Sequence, residues 1–324
     1  MTVSQLSPSV SFDGRSIPPS ARETLWCAPD GHDIRRIDWS GAGDARCRGS
    51  LLFAPGRGDC YEKHLPALDA WHRQGWHVTA IDWRGQGMSG RLGLDPRTGH
   101  VADFSGWIED FAAFWSQWRA AAPGPHVCVG HSMGGHLVLR AVAERRIAPD
   151  AIILVAPMLG LNPGWLPTAL LHPLARIIAA LGDPRRPAWK SNELPLLGQR
   201  ARIALLTHDP VRYADEAWWY RERPDLVMGP ASWGWIVAAL ASIRVLERRG
   251  LLEAVDIPAL ILGTSVDRLV SWPAIRRAAA RLPDARLVAF GAEARHELLR
   301  ESDPVRDRAL AEIAAFLDRA APVR

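Results

Sequence analysis

Apolar residues along this chain fall into two alternating rhythms. Short apolar runs bounded by glycine, proline or aspartate read as strands. They cover 23–27 and 34–39 around the Asp30-Gly31 turn, 48–54, 76–81, 126–129, 151–155, 258–262 and 286–290. Between them, apolar residues three or four apart predict helices over 65–74, 102–121, 133–146, 274–281 and 304–319. Within 102–121, Phe104, Trp107, Ile108, Phe111, Trp115 and Trp118 form one broad stripe, which reads as core. Strands alternating with helices predict an α/β protein whose mostly parallel sheet is covered on both faces.

Residues 157–235 break the alternation. They are rich in proline and tryptophan, and the apolar stretches at 166–181, 200–207 and 233–246 have helical spacing. An insertion between two core strands predicts a helical cap. The expected organisation is a loose arm at 1–20, a core at 21–156, the cap at 157–235 and the rest of the core at 236–324.

Composition narrows the class. The 324 residues are 48% hydrophobic and 23% charged, ordinary for a globular protein. No stretch approaches the roughly 20 apolar residues that a membrane helix needs. Residues 1–20 lack the basic start and apolar core of a signal peptide, so a cytoplasmic protein is expected. The spacing of Cys27, Cys47, Cys60 and Cys128 fits no zinc pattern. The net charge is +4, and almost every cation is an arginine, Lys63 and Lys190 being the two lysines. Those arginines are scattered rather than massed, which argues against nucleic-acid binding. The charge does suit weak contact with an anionic membrane, so peripheral binding at the inner membrane face stays open. Fifteen tryptophans are the anomaly, and such rings serve both cores and lipid-handling surfaces.

The chemistry centres on Gly130-His131-Ser132-Met133-Gly134. It is a G-x-S-x-G sequence between a predicted strand and a predicted helix, the setting of a nucleophile elbow. Such a turn lifts a serine hydroxyl out of the backbone at a strand's carboxyl end. Glycines flank it because side chains there would collide with neighbouring backbone. An acid and a histidine should follow in that chain order. His296 lies just past the last strand, where a loop can reach Ser132; His172 and His208 fall in the cap, and His131 is too close on the turn to act as its base. Asp267, five residues past the strand 258–262, is the expected acid, and Glu293 and Glu297 beside His296 are expected to face solvent. Asp82 precedes Ser132 and is expected to tie down its own loop through an arginine. The backbone amides of Met133 and Arg57 are the expected oxyanion hole.

These residues resemble the α/β-hydrolase fold, and within it the lysophospholipase and monoacylglycerol lipase-like serine hydrolases. Gly130-His131-Ser132-Met133-Gly134-Gly135 looks like that group's elbow, and the run 82–89, Asp-Trp-Arg-Gly-Gln-Gly-Met-Ser, resembles its D-x-R-G-x-G-x-S loop. Pro55-Gly56-Arg57-Gly58 is similar to its H-G-x-G oxyanion loop, with proline in place of histidine. The segments 294–301, 206–213 and 229–235 are similar to bacterial lysophospholipases. The resemblance implies hydrolysis of lipid-like monoacyl esters through an acyl-enzyme, without metal or organic cofactor and without an obligate protein partner. A general carboxylesterase or thioesterase for small acyl esters, or an acyltransferase, would share the same residues. If the cap binds the acyl chain, Trp165, Trp218, Trp219 and Trp233 are the candidate contacts.

Overall fold

A computed structural model describes residues 12–40, 47–162, 167–189 and 199–322. Its centre is one sheet of eight strands. In chain order these are β1 (Ala21–Cys27), β2 (Asp33–Trp39), β3 (Gly49–Ala54), β4 (Trp76–Ile81), β5 (His126–His131), β6 (Ala151–Val155), β7 (Ala259–Thr264) and β8 (Ala285–Phe290). The spatial order is β1-β2-β4-β3-β5-β6-β7-β8. β1 and β2 form an antiparallel hairpin that joins β4 antiparallel, and all other neighbours are parallel.

The helices are α1 (Leu65–Arg73), α2 (Phe104–Ala121), α3 (Met133–Ala143), α4 (Thr168–Ala180), α5 (Gln199–Leu206), α6 (Pro210–Glu222), α7 (Trp233–Glu247), α8 (Trp272–Arg281) and α9 (Asp303–Ala320). They cover both faces, so the central strands read as continuous apolar runs. Successive side chains of β3 go to opposite cores. Leu52 and Ala54 join the α2, α3 and α8 side, and Leu51 and Phe53 join the α1 and α9 side. The aromatic stripe of α2 is buried throughout, as its spacing predicts. Among the described residues, no helix is long and apolar enough to cross a membrane.

α4, α5 and α6 lie between β6 and β7, where the sequence pattern breaks. α6 is one helix that apolar spacing does not announce. Its signal is at its start, where the Asp209 carboxylate accepts from the Val211 and Arg212 amides and Pro210 occupies the first turn. α7 leads back into the core, lying against both α4 and α3.

Chain reversal between β3 and β5 is the topological switch point of the sheet. β4 is added on one side of β3, and β5 and its successors on the other. In parallel sheets ligands bind outside the strand ends at such a point. There α3 starts so close to the end of β3 that no side chain fits between them. A Cβ on Gly134 would lie inside the van der Waals shell of the Ala54 carbonyl oxygen, and one on Gly130 would meet the Gly134 oxygen at 2.6 Å. Helix propensity favours alanine over glycine by about 1 kcal/mol. Gly134→Ala is nevertheless expected to destabilise the protein by about 2–3 kcal/mol through overpacking. Chemical denaturation of the two proteins measures the sign.

Candidate active site

Four strand ends supply the site. β3 leads into the Pro55–Gly58 turn, β5 into Ser132, β7 into Asp267 and β8 into the loop that carries His296. Ser132 has φ 52° and ψ −116°, a backbone conformation that side-chain-bearing residues rarely adopt. Its amide donates to the Val155 carbonyl at 2.9 Å, and its carbonyl accepts from the Met158 amide at 2.9 Å and the His136 amide at 3.1 Å. The backbone of β5 and α3 is therefore held on both sides of the serine while its hydroxyl projects from the turn.

His296 and Asp267 meet that hydroxyl in one hydrogen-bonded line. Ser132 Oγ lies 2.9 Å from His296 Nε2, and His296 Nδ1 lies 2.8 Å from Asp267 Oδ2. The other Asp267 oxygen accepts from the Leu269 amide at 2.8 Å and the Val270 amide at 3.0 Å, which fixes the carboxylate's plane. Burial would raise the Asp267 pKa, but His296 and these amides hold it below the ordinary carboxylate range. Burial alone would push His296 down, yet Asp267, with help from Glu297 and Asp59, holds it above 6.5. A line of this kind lets a serine hydroxyl pass its proton to imidazole.

Met133 is the first residue of α3, where an amide has no partner within the helix. Across from it, the amides on either side of Arg57 are committed. Gly56 N–H donates to Asp59 Oδ2 at 3.2 Å and Gly58 N–H to Gln86 Oε1 at 2.7 Å. The Arg57 side chain reaches away to the Gly229 carbonyl at 2.6 Å and lies over the rings of Trp189 and Trp235. Ser132 and His296 open into a cavity of about 570 Å³ whose walls include Met158, Leu161, Leu205, Met228, Trp235 and Ile236.

Several residues stand elsewhere than the sequence suggests. Trp218, Trp219 and Trp233 do not line this cavity. α6 packs on the short Tyr61–His64 turn, so it turns Trp219 into the α1 and α9 core, where its Nε1 donates to the Gly14 carbonyl at 2.8 Å. Trp218 stacks edge-on against Trp219 at 4.8 Å. Trp233 opens α7, with its amide on the Arg186 carbonyl. Trp165 lies outside the described residues. Trp189 and Trp235 line the cavity instead; Trp235 is two places along α7 from Trp233, and helical spacing alone does not say which faces inward. Glu297 is buried against Lys63 and Arg300 rather than facing solvent, whereas Glu293 is exposed. Asp82 does tie its loop to an arginine, accepting from Arg35 Nε at 2.8 Å and from the Met88 amide at 3.1 Å.

An eight-stranded, mostly parallel sheet with helices on both faces is the α/β-hydrolase fold, and the protein is a serine hydrolase. The chain belongs to the family described as Hydrolase_4, serine aminopeptidase S33, which matches residues 45–303. It falls in the lysophospholipase and monoacylglycerol lipase-like group of that fold. It is 33% identical to lysophospholipase L2 of Escherichia coli (strain K12) over 288 residues, covering 83% of this chain and 80% of that one. It is 24% identical to a probable lysophospholipase L2 of Haemophilus influenzae over 283 residues, covering 85% of each. Among solved structures, a soluble variant of monoglyceride lipase from Saccharomyces cerevisiae superposes with a TM-score of 0.74 at 19% identity, covering 96% of this chain and 98% of that one.

The geometry sets a pH dependence. A serine can lose its proton to His296 only while the imidazole is neutral. Because Asp267 raises the His296 pKa, reaction of Ser132 should increase with pH through a midpoint above 6.5. Asp267→Asn should lower that midpoint, since burial then acts unopposed by the nearest carboxylate, and should cut kcat about 10⁴-fold. A pH series of fluorophosphonate labelling and ester turnover on both proteins measures the two effects.

Proposed function

We propose that the protein hydrolyses lipid-like monoacyl esters, of the lysophospholipid or monoacylglycerol type, through a Ser132 acyl-enzyme. The observation that carries this reading is the Ser132–His296–Asp267 line opening into a cavity that combines an apolar wall, Met158, Leu161, Leu205, Met228, Trp235 and Ile236, with polar groups such as Arg57 and Arg202. Ser132 Oγ attacks the ester carbonyl carbon as His296 Nε2 takes its proton. The carbonyl oxygen, now anionic, lies against the Met133 and Arg57 amides. Collapse of the tetrahedral adduct breaks the ester C–O bond, and His296 returns the proton to the departing alcohol. Water, deprotonated in turn by His296, attacks the acyl-enzyme; collapse of this second adduct breaks the bond from the acyl carbon to Ser132 Oγ, His296 returns the proton to Oγ, and the fatty acid leaves. Asp267 holds the imidazole with its proton on Nδ1 and stabilises the imidazolium that forms.

Two relatives support the lipid reading by name, the E. coli lysophospholipase L2 and a Mycolicibacterium smegmatis monoacylglycerol lipase 27% identical over 139 residues. In this reading the 157–235 insertion is the cap that shelters the acyl chain, and it also meets the membrane. Leu170, Leu174, Ile177 and Leu181 recur at helical spacing along α4 and its end, and all are exposed. No aspartate or glutamate occurs from 163 to 182, so this face suits an anionic lipid surface at the cytoplasmic side.

Two measurements test the proposal. A fluorophosphonate should label the wild type, and Ser132→Ala should abolish labelling and lower kcat by roughly 10⁶-fold, as in other serine triads. Surviving label would remove Ser132 from the reaction. Each substrate methylene buried in the cavity should add about 0.8 kcal/mol, or roughly fourfold in kcat/KM. Activity on monomeric p-nitrophenyl esters should therefore climb from acetate toward medium chains, and Trp235→Ala should flatten the climb. If acetate is the best substrate, a small-ester hydrolase takes the place of the lipid reading.

A further inference from the structure

Only two of the chain's cations are lysines, yet Lys63 is buried at the heart of the molecule. Its ammonium meets three carboxylates from three separate parts of the chain. It is ion-paired with Asp59, lies 2.9 Å from Glu297 Oε1 and lies 3.2 Å from Glu216 Oε2. An ammonium offers three donors on a compact centre, so three acceptors can converge on it from different directions. A guanidinium is planar and forked, and matches one or two carboxylates lying in its plane. The geometry thus accounts for a lysine here in a chain that otherwise favours arginine.

Each partner of Lys63 leads to a different part of the site. Asp59 Oδ2 accepts from the Gly56 amide beside Arg57 at 3.2 Å, from His131 Nδ1 at 3.1 Å and from His64 Nε2 at 3.2 Å. Glu297 is the residue after His296, and its amide donates to the Leu206 carbonyl of α5 at 2.8 Å. Glu216 belongs to α6 and binds Arg202 of the cavity wall at 2.6 Å and Arg300 at 3.1 Å. The three cations Lys63, Arg202 and Arg300 match the three carboxylates Asp59, Glu216 and Glu297 one for one.

We propose that Lys63 is a positioning residue for the ester hydrolysis. By tying Asp59, Glu297 and Glu216 to one point, it sets the oxyanion loop and the His296 loop in register with each other and with α6. The proposal rests on the Ser132 mechanism above. Burial opposes the charge on Lys63, but its three carboxylates hold its pKa well above the ordinary lysine range, so the tie stays ionic while the enzyme works. Without it the Gly56–Arg57 turn and His296 would each be free to settle separately. A displacement of about 1 Å of reacting groups can cost about 100-fold in rate.

The test compares wild type, Lys63→Arg, Lys63→Met and the double variant Lys63→Met with Glu216→Gln, which keeps the one-for-one match. Thermal unfolding, kcat and KM for a monomeric p-nitrophenyl ester, and the fluorophosphonate labelling rate are read on each. The expected result is that Lys63→Arg and the double variant fold, while kcat and labelling fall about 100-fold and KM stays near wild type. A structural neutraliser would behave otherwise, with kcat returning together with Tm in the double variant. Wild-type kcat in either folded variant, or a raised KM with kcat intact, overturns the proposal. Failure of both to fold also overturns it, because Lys63 is then a folding residue. A wild type that labels at Ser132 but turns over no ester sinks the hydrolase reading alone, and labelling rates still decide the role of Lys63. A wild type that does neither sinks both.

Discussion

The structure depends on forcing one residue into an unfavourable conformation at the crowded end of a sheet. Ser132, at φ 52°, carries a cost of order 1–3 kcal/mol. That cost persists only where the surroundings over-determine the turn. β5 is buried between β3 and β6 with every side chain from Val127 to His131 out of solvent, and α3 is buried along its whole length. Gly130 and Gly134 let the two elements close to backbone contact. The apolar core on both faces therefore supplies the rigidity that the turn consumes, and the hydroxyl has one place to be.

Much of this was legible in the sequence because it is written in local periodicity. Strand runs and helical stripes placed all eight strands and most helices within a few residues of where they lie. The elbow, Asp267 and His296 stand out in the sequence through their chain order and their places after strands, and the structure brings these three side chains together. α6 escaped because its buried face, Tyr213, Glu216, Trp219 and Tyr220, carries a glutamate while the apolar Val211 is exposed, so its sign was the Asp209-Pro210 start. Sheet order was beyond reach, since strands of similar composition do not announce their neighbours.

The tryptophans and Glu297 show where local reading stops. Trp218 and Trp219 lie in the insertion, so nearness in sequence suggested the substrate cavity. The face of α6 that bears Trp219 is set by its docking on the Tyr61–His64 turn, a long-range contact. Glu297 carries a charge beside a loop histidine, and charged residues are seldom fully buried. Its exception needs Lys63 and Arg300, which lie far away and three residues away respectively. Neither partner can be matched to it without the fold.

A set of six charges, five of them buried and Arg202 half-buried, is not an efficient way to stabilise a protein. Desolvating ions costs several kcal/mol each, and apolar replacements of similar volume are often at least as stable. An apolar cluster would, however, hold its parts by contact area, which tolerates sliding. Charges that meet donors from fixed directions tolerate little, and an unmatched one is heavily penalised in a dry interior. Here the carboxylates belong to the turn after Gly58, to the residue after His296 and to α6. Those are separate loops and helices with no covalent reason to keep one spacing. The sheet fixes where each begins, and the ionic cluster fixes where their ends come together. Apolar packing thus builds the frame, and electrostatics sets the register within it.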